Sequence, residues 1–240
     1  MSDILKVENL CKEYPSFRLD NVSFSVKKGT VMGFIGRNGA GKTTTLKAIM
    51  NMVHATNGTV EIFGLDIKKH EKQIKQSTGY AGGTVNYYKN KKICRILDIT
   101  KSFFNSWDDE TCKKYLQLFS IDPNKTPSQL SEGMKVKLSL AIALSHNAQL
   151  LILDEPTSGL DPVSRAELLE IFKLLKNQGI AILFSTHITS DLENCADDIT
   201  YIRDGRIIYT GSLENFTCGK KLESVMINFE KEAFYEKAGL

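Results

Sequence analysis

Apolar and polar residues alternate from Ile4 to Phe34, with turn signals at Tyr14-Pro15 and Lys28-Gly29. Val22–Val26 is a clear period-2 strand, and Thr59–Gly64 repeats the pattern. These segments predict a small antiparallel sheet. Thr30–Ile35, Leu150–Leu153 and Ile180–Phe184 read differently, as nearly unbroken apolar runs. Such runs are strands covered on both faces. Helical signals lie between and beside them. Lys42–Met52 reads as a helix. Ser131–Ser145 is a second, capped by Ser131, with Leu138 and Ile142 on its inner face. Asp161-Pro162 opens a third as N-cap and first helical residue, and Gly179 follows its end. Lys68–Lys75 is charged and helix-like. Val85–Phe119 is lysine-rich, carries apolar residues at helical spacing and holds the only tryptophan, Trp107. Val225–Phe229 reads as one added strand. Strands alternating with helices predict an α/β fold with a mostly parallel sheet core beside the antiparallel part. Ligands in such sheets bind outside the carboxyl ends of the strands.

Composition narrows the class. The chain's 240 residues suffice for one large domain or two small ones. A formal net charge of +3 makes no case for nucleic acid. Cys11, Cys94, Cys112, Cys195 and Cys218 form no C-x-x-C pair, which favours reduced thiols in a cytosol. No basic-then-apolar leader is expected. No run approaches the roughly 18–20 apolar residues that span a bilayer, so membrane spans would come from another chain.

The chemistry concentrates in Gly36–Thr43, Gly-Arg-Asn-Gly-Ala-Gly-Lys-Thr. This fits G-x-x-x-x-G-K-[ST], the P-loop, and it falls between a buried strand and a helix as that motif requires. Glycines let backbone N–H groups close around phosphates. The helix N-terminus adds orphan donors and the positive end of its dipole. Lys42 is expected to reach the β- and γ-phosphates, and the Thr43 hydroxyl to hold Mg²⁺. Asp154 closes an apolar strand and is the second candidate Mg²⁺ ligand. Glu155 follows it and is the candidate general base; a bland reading makes the acidic pair a helix cap or loop charge. His187 ends another strand, where an imidazole can bond the γ-phosphate and orient Glu155. His54, His70 and His146 read as structural.

Taken in order, these segments resemble the nucleotide-binding subunit of ABC (ATP-binding cassette) transporters, from about Val7 to Gly211. Leu130–Met134 resembles the LSGGQ signature, Leu150–Glu155 the Walker B segment, Ser158–Asp161 the D-loop, and His187 the switch histidine. Tyr14 resembles the aromatic that stacks on adenine. The resemblance implies a single RecA-like P-loop NTPase domain spanning residues 1–240. Its core would be 1–83 and 148–212, an inserted α-helical signature subdomain 84–147, and a C-terminal tail 213–240. It implies that Gly36, Arg37, Asn38, Gly39, Ala40, Gly41, Lys42, Thr43 and Thr44 bind ATP. Ser131, Gly133 and Asp161 would complete the site of a second copy or related subunit packed head to tail. Catalysis would fall to Glu155, His187 and Lys42, and Mg²⁺ to Thr43 and Asp154. Separate transmembrane permease subunits would be driven from the cytoplasmic side of the membrane.

Departures refine the resemblance. Gly83 stands where the family has a glutamine that touches Mg²⁺, leaving water or a neighbour such as Asn86 to substitute. Glu132 and Met134 replace signature glycine and glutamine, and Glu132 is expected to point away from phosphate. The texture is most similar to bacterial ABC-2-type exporters, in the subgroup linked to antibiotic resistance and to export of toxin peptides such as phenol-soluble modulins. Lys68–Lys75 and Tyr87–Lys92 read as solvated faces or as contacts to headgroups or membrane subunits. Two other readings stand beside the exporter: a non-transport ABC ATPase acting on ribosomes or DNA, and an ATP-dependent regulatory module.

Overall fold

The computed structural model describes residues 2–82 and 88–238; Gly83 and Asn86, weighed above as metal-side positions, lie outside the described residues. The chain opens with a long hairpin, β1 (Asp3–Tyr14) and β2 (Phe17–Lys27). It continues through β3 (Val31–Ile35), α1 (Lys42–Ile49), β4 (Asn57–Ile62), β5 (Leu65–Asp66), α2 (Ile67–Gln76) and β6 (Thr78–Gly82). Helices α3 (Ile93–Lys101), α4 (Asp109–Leu118) and α5 (Glu132–Ser145) follow. The second half runs β7 (Leu150–Asp154), α6 (Pro162–Asn177), β8 (Ala181–Thr186), α7 (Thr189–Cys195), β9 (Asp198–Arg203) and β10 (Arg206–Ser212). Two helices close it, α8 (Leu213–Thr217) and α9 (Leu222–Ala238).

Two sheets result. One is antiparallel, in the order β2-β1-β4-β5; the other is β10-β9-β3-β8-β7-β6, parallel except for the β10–β9 edge. The apolar runs are central strands because both faces of the larger sheet are covered. Met32, Phe34, Leu150, Ile152 and Leu183 pack toward α1 and the antiparallel sheet. Val31, Ile35, Leu151, Leu153, Ile182 and Phe184 pack toward the cluster containing α5 and α6. Period-2 geometry sends successive residues of one strand to opposite cores.

Caps set the helix starts as the chemistry requires. The Ser131 hydroxyl accepts from Met134 N–H at 3.2 Å, and the Asp161 carboxylate accepts from Val163 and Ser164 N–H at 3.0 Å each. Two expectations are corrected. Val225–Phe229 belongs to α9 and forms no strand. Leu222, Val225, Met226 and Phe229 all pack on the core, an i, i+3, i+4, i+7 spacing that a five-residue window cannot show. The P-loop helix also ends at Ile49, short of Met52, because Asn51 turns left-handed at φ 55°.

Candidate functional site

The site is assembled at the carboxyl ends of three neighbouring parallel strands, β3, β8 and β7. Ile35 pairs with Thr186, and Asp154 with Ser185. The P-loop, Asp154-Glu155 and His187 therefore leave the sheet side by side. Glu155 takes a left-handed backbone at φ 51°, uncommon for a residue with a side chain. Its carboxylate joins the other two catalytic candidates. Oε1 lies 3.2 Å from Lys42 Nζ and Oε2 lies 2.9 Å from His187 Nδ1.

Lys42 is 6% exposed, so its ammonium needs partners. It donates to Gly36 O at 2.7 Å and Arg37 O at 3.3 Å, in addition to its ion pair with Glu155. The P-loop glycines serve different ends. Gly39 and Gly41 have φ 82° and 112°, open to glycine at no steric cost. At Gly36 the constraint is space, since a Cβ would stand 2.4 Å from the Ile202 carbonyl oxygen.

Lys42, Glu155, His187, Gly39 and Gly41 border a cavity of about 600 Å³, within the range of small-molecule sites. Asn38, Gly39, Gly41, Lys42, Thr43, Thr44, Glu155, Ser158 and His187 line it, with Ser16 and Phe17 closing one side. Tyr14 does not line this cavity. Its exposed ring lies under Lys12 Nζ at 5.2 Å. Phe17, its partner across the β1–β2 turn, reaches Gly41 instead. Both aromatics sit in one hairpin, and only docking of that hairpin on the P-loop separates them.

Ser185 is a site residue that sequence reasoning passed over. Its hydroxyl donates to Asp154 Oδ1 at 2.6 Å and accepts from Glu155 N–H at 2.9 Å. It thereby fixes both acidic residues of the strand end. A serine two residues before a histidine carries no sequence signal for that role; register across β7 and β8 creates it. Arg165 and Asp191 were also missed. Asp191 is 1% exposed, with Arg165 Nε at 4.0 Å. Arg165 also donates to Leu160 O at 3.5 Å. The pair links the start of α6, beside Asp161, to the start of α7, just past His187. Burial pushes the Asp191 carboxyl above its usual range, with Arg165 in partial opposition.

Ser131, Gly133 and Asp161 lie outside the cavity lining. Gly133 packs against α6 and the loop before it, where a Cβ would stand 3.3 Å from Leu160 Cδ2. Glu132 is held by Lys135 Nζ at 2.6 Å. Arg37, largely exposed, faces Glu230 of α9 at 3.6 Å, and Glu230 also accepts from the Tyr201 hydroxyl. His146 is buried, bonded to Gln76 O at 3.0 Å and stacked on Phe104 at 3.8 Å; burial holds its pKa below the ordinary value.

Fold and site together define a P-loop nucleotide-binding domain. The family profile described as ABC transporter matches residues 19–158, and the chain belongs to that family. It is 35% identical over 212 residues to the bacitracin transport ATP-binding protein BcrA of Bacillus licheniformis, covering 87% of this chain and 69% of that protein. It is 35% identical over 235 residues to the lantibiotic transport ATP-binding protein SrtF of Streptococcus pyogenes, covering 95% and 99%. A solved ATP-binding subunit of an ABC transporter superposes with TM-score 0.85 at 26% identity, over 94% of this chain and 98% of that one. The ADP conformation of MJ1267, an ATP-binding cassette, superposes with TM-score 0.78 at 25% identity, over 95% and 99%. The chain is an ATP-binding subunit of a family that hydrolyses ATP.

Proposed function

We propose that this chain is the motor subunit of an ABC-2-type exporter of peptides or antibiotics, working as a head-to-tail dimer on separate transmembrane subunits at the cytoplasmic face of the membrane. The observation that carries the motor reading is the Lys42–Glu155–His187 cluster at the mouth of the P-loop cavity. The exporter reading draws on relatives named for bacitracin and lantibiotic transport. Among the described residues no helix is long and apolar enough to cross a membrane.

The residues support a division of labour. Backbone donors of the P-loop and α1 cradle the phosphates of ATP. Lys42 exchanges its bond to Glu155 for the terminal phosphates. Glu155, released from the ammonium, polarises the attacking water, while His187 orients it and contacts the γ-phosphate. The Thr43 hydroxyl and the Asp154 carboxylate are hard oxygen donors of the kind Mg²⁺ takes together with phosphates. When bound, Mg²⁺ supplies charge neutralisation at the phosphate oxygens. Ser131 and Gly133 cap the site of the opposing copy, and Asp161 lies at that junction. ATP holds the two copies together, and its hydrolysis releases them. Purification of the native membrane assembly tests this reading. A multi-spanning partner and ATP-dependent peptide efflux from vesicles are expected; a complex without membrane subunits overturns it.

A further inference from the structure

Tyr80 of β6 carries a buried hydroxyl with no hydrogen-bond partner among the described residues. Buried hydroxyls nearly always have a partner, so this one calls for an explanation. The sheet shows where the hydroxyl lies. Tyr80 pairs with Ile152, and Gly82 with Asp154, the residue at the end of β7. Residues two apart on a strand share a face, so the phenol runs along the strand toward Gly82. A Cβ on Gly82 would stand 2.5 Å from the Tyr80 hydroxyl oxygen. That face is the one toward α1, since Ile152 and the Tyr80 ring both pack there. The phenol therefore extends over Gly82, whose partner on β7 is Asp154; burial first, and the Asp154 charge second, push the phenol up to about 12. A phenylalanine would fill the same apolar space. The hydroxyl is accommodated only because position 82 has no side chain.

We propose that the Tyr80 hydroxyl is a positioning residue for the metal side of the site: it bonds a water of the Mg²⁺ hydration shell and holds it against Asp154. Mg²⁺ usually keeps several of its waters, and partners of those waters tune its affinity. A phenol accepts from such a water while its own O–H points to a carboxylate. The inference rests on the reading that Asp154 and Thr43 hold the ion, and the experiment separates the two.

The test is a titration of Mn²⁺, standing in for Mg²⁺, into the full-length chain with a nonhydrolysable ATP analogue, read by electron paramagnetic resonance. Nucleotide affinity in EDTA and thermal midpoint are measured alongside. Tyr80→Phe is expected to weaken Mn²⁺ about tenfold, with EDTA nucleotide affinity and melting unchanged. Gly82→Ala, which keeps the phenol but displaces its end, is expected to do the same, and to add nothing in the Tyr80→Phe background. Asp154→Asn is the control for the metal site. If it weakens Mn²⁺ and neither Tyr80→Phe nor Gly82→Ala does, the Tyr80 proposal falls alone. If Asp154→Asn has no effect, the metal reading and the proposal fall together.

Discussion

Lys42 Nζ and Glu155 Oε1 stand 3.2 Å apart, so the P-loop cation and the candidate base neutralise each other. Both side chains are largely buried, where an unpaired charge is costly. Under the proposed mechanism, this pair is what incoming phosphate exchanges with.

Lys42→Ala removes the ammonium that this exchange requires. Each charge-assisted hydrogen bond contributes about 1.5–3 kcal/mol, so ATP affinity is expected to fall at least about tenfold. Titration with a fluorescent ATP analogue measures it. Affinity equal to that of the unmodified chain contradicts the assignment.

Glu155→Gln preserves shape and removes the base. Hydrolysis is expected to drop about 10²–10⁴-fold, while ATP binding persists and a closed dimer accumulates. Phosphate release and size-exclusion chromatography with ATP report the two effects; rapid turnover by the variant rules out Glu155 as the base.

Gly36→Ala places a methyl group 2.4 Å from the Ile202 backbone oxygen, which has little freedom to move. Overpacking of this kind costs about 1–3 kcal/mol, a fall of roughly 2–12 °C in melting temperature for a chain of this size. Differential scanning calorimetry without nucleotide checks it. An unchanged midpoint would show that the loop relaxes.

Asp191→Asn probes the buried pair with Arg165. The folded chain raises the Asp191 pKa above the ordinary 3.8, so at neutral pH folding carries the cost of keeping it charged. The amide lacks that cost. Its melting temperature is expected to be no lower than that of the parent at pH 7. Any gain should shrink as pH falls through the raised folded value and vanish below the ordinary one. A variant that is less stable at neutral pH and recovers in acid reverses the sign and refutes the argument.

Much of this site is legible in one dimension because its parts obey local rules. Gly36–Thr43 needs glycines and a lysine at set spacing. Ser131 and Asp161 show themselves as caps because capping is settled within three residues. Failures arise where a residue's role depends on what lies across from it. Tyr14 and Phe17 look equivalent in the hairpin, yet Phe17 is the one that lines the cavity and lies at Gly41. Ser185 has no motif; it gains its place from Asp154, its partner across β7 and β8.

The linear chain by itself determined the α/β alternation, the buried strands, the phosphate loop, and the presence of Asp154, Glu155 and His187 at strand ends. Those follow from periodicity and backbone chemistry over a few residues. Tertiary structure decided which of these ends meet, that Glu155 bridges Lys42 and His187, which aromatic faces the cavity, and that the tail is a helix on the core. The reason is that strand order, register and docking come from burying two apolar faces of one sheet at once, a condition no short window of sequence contains.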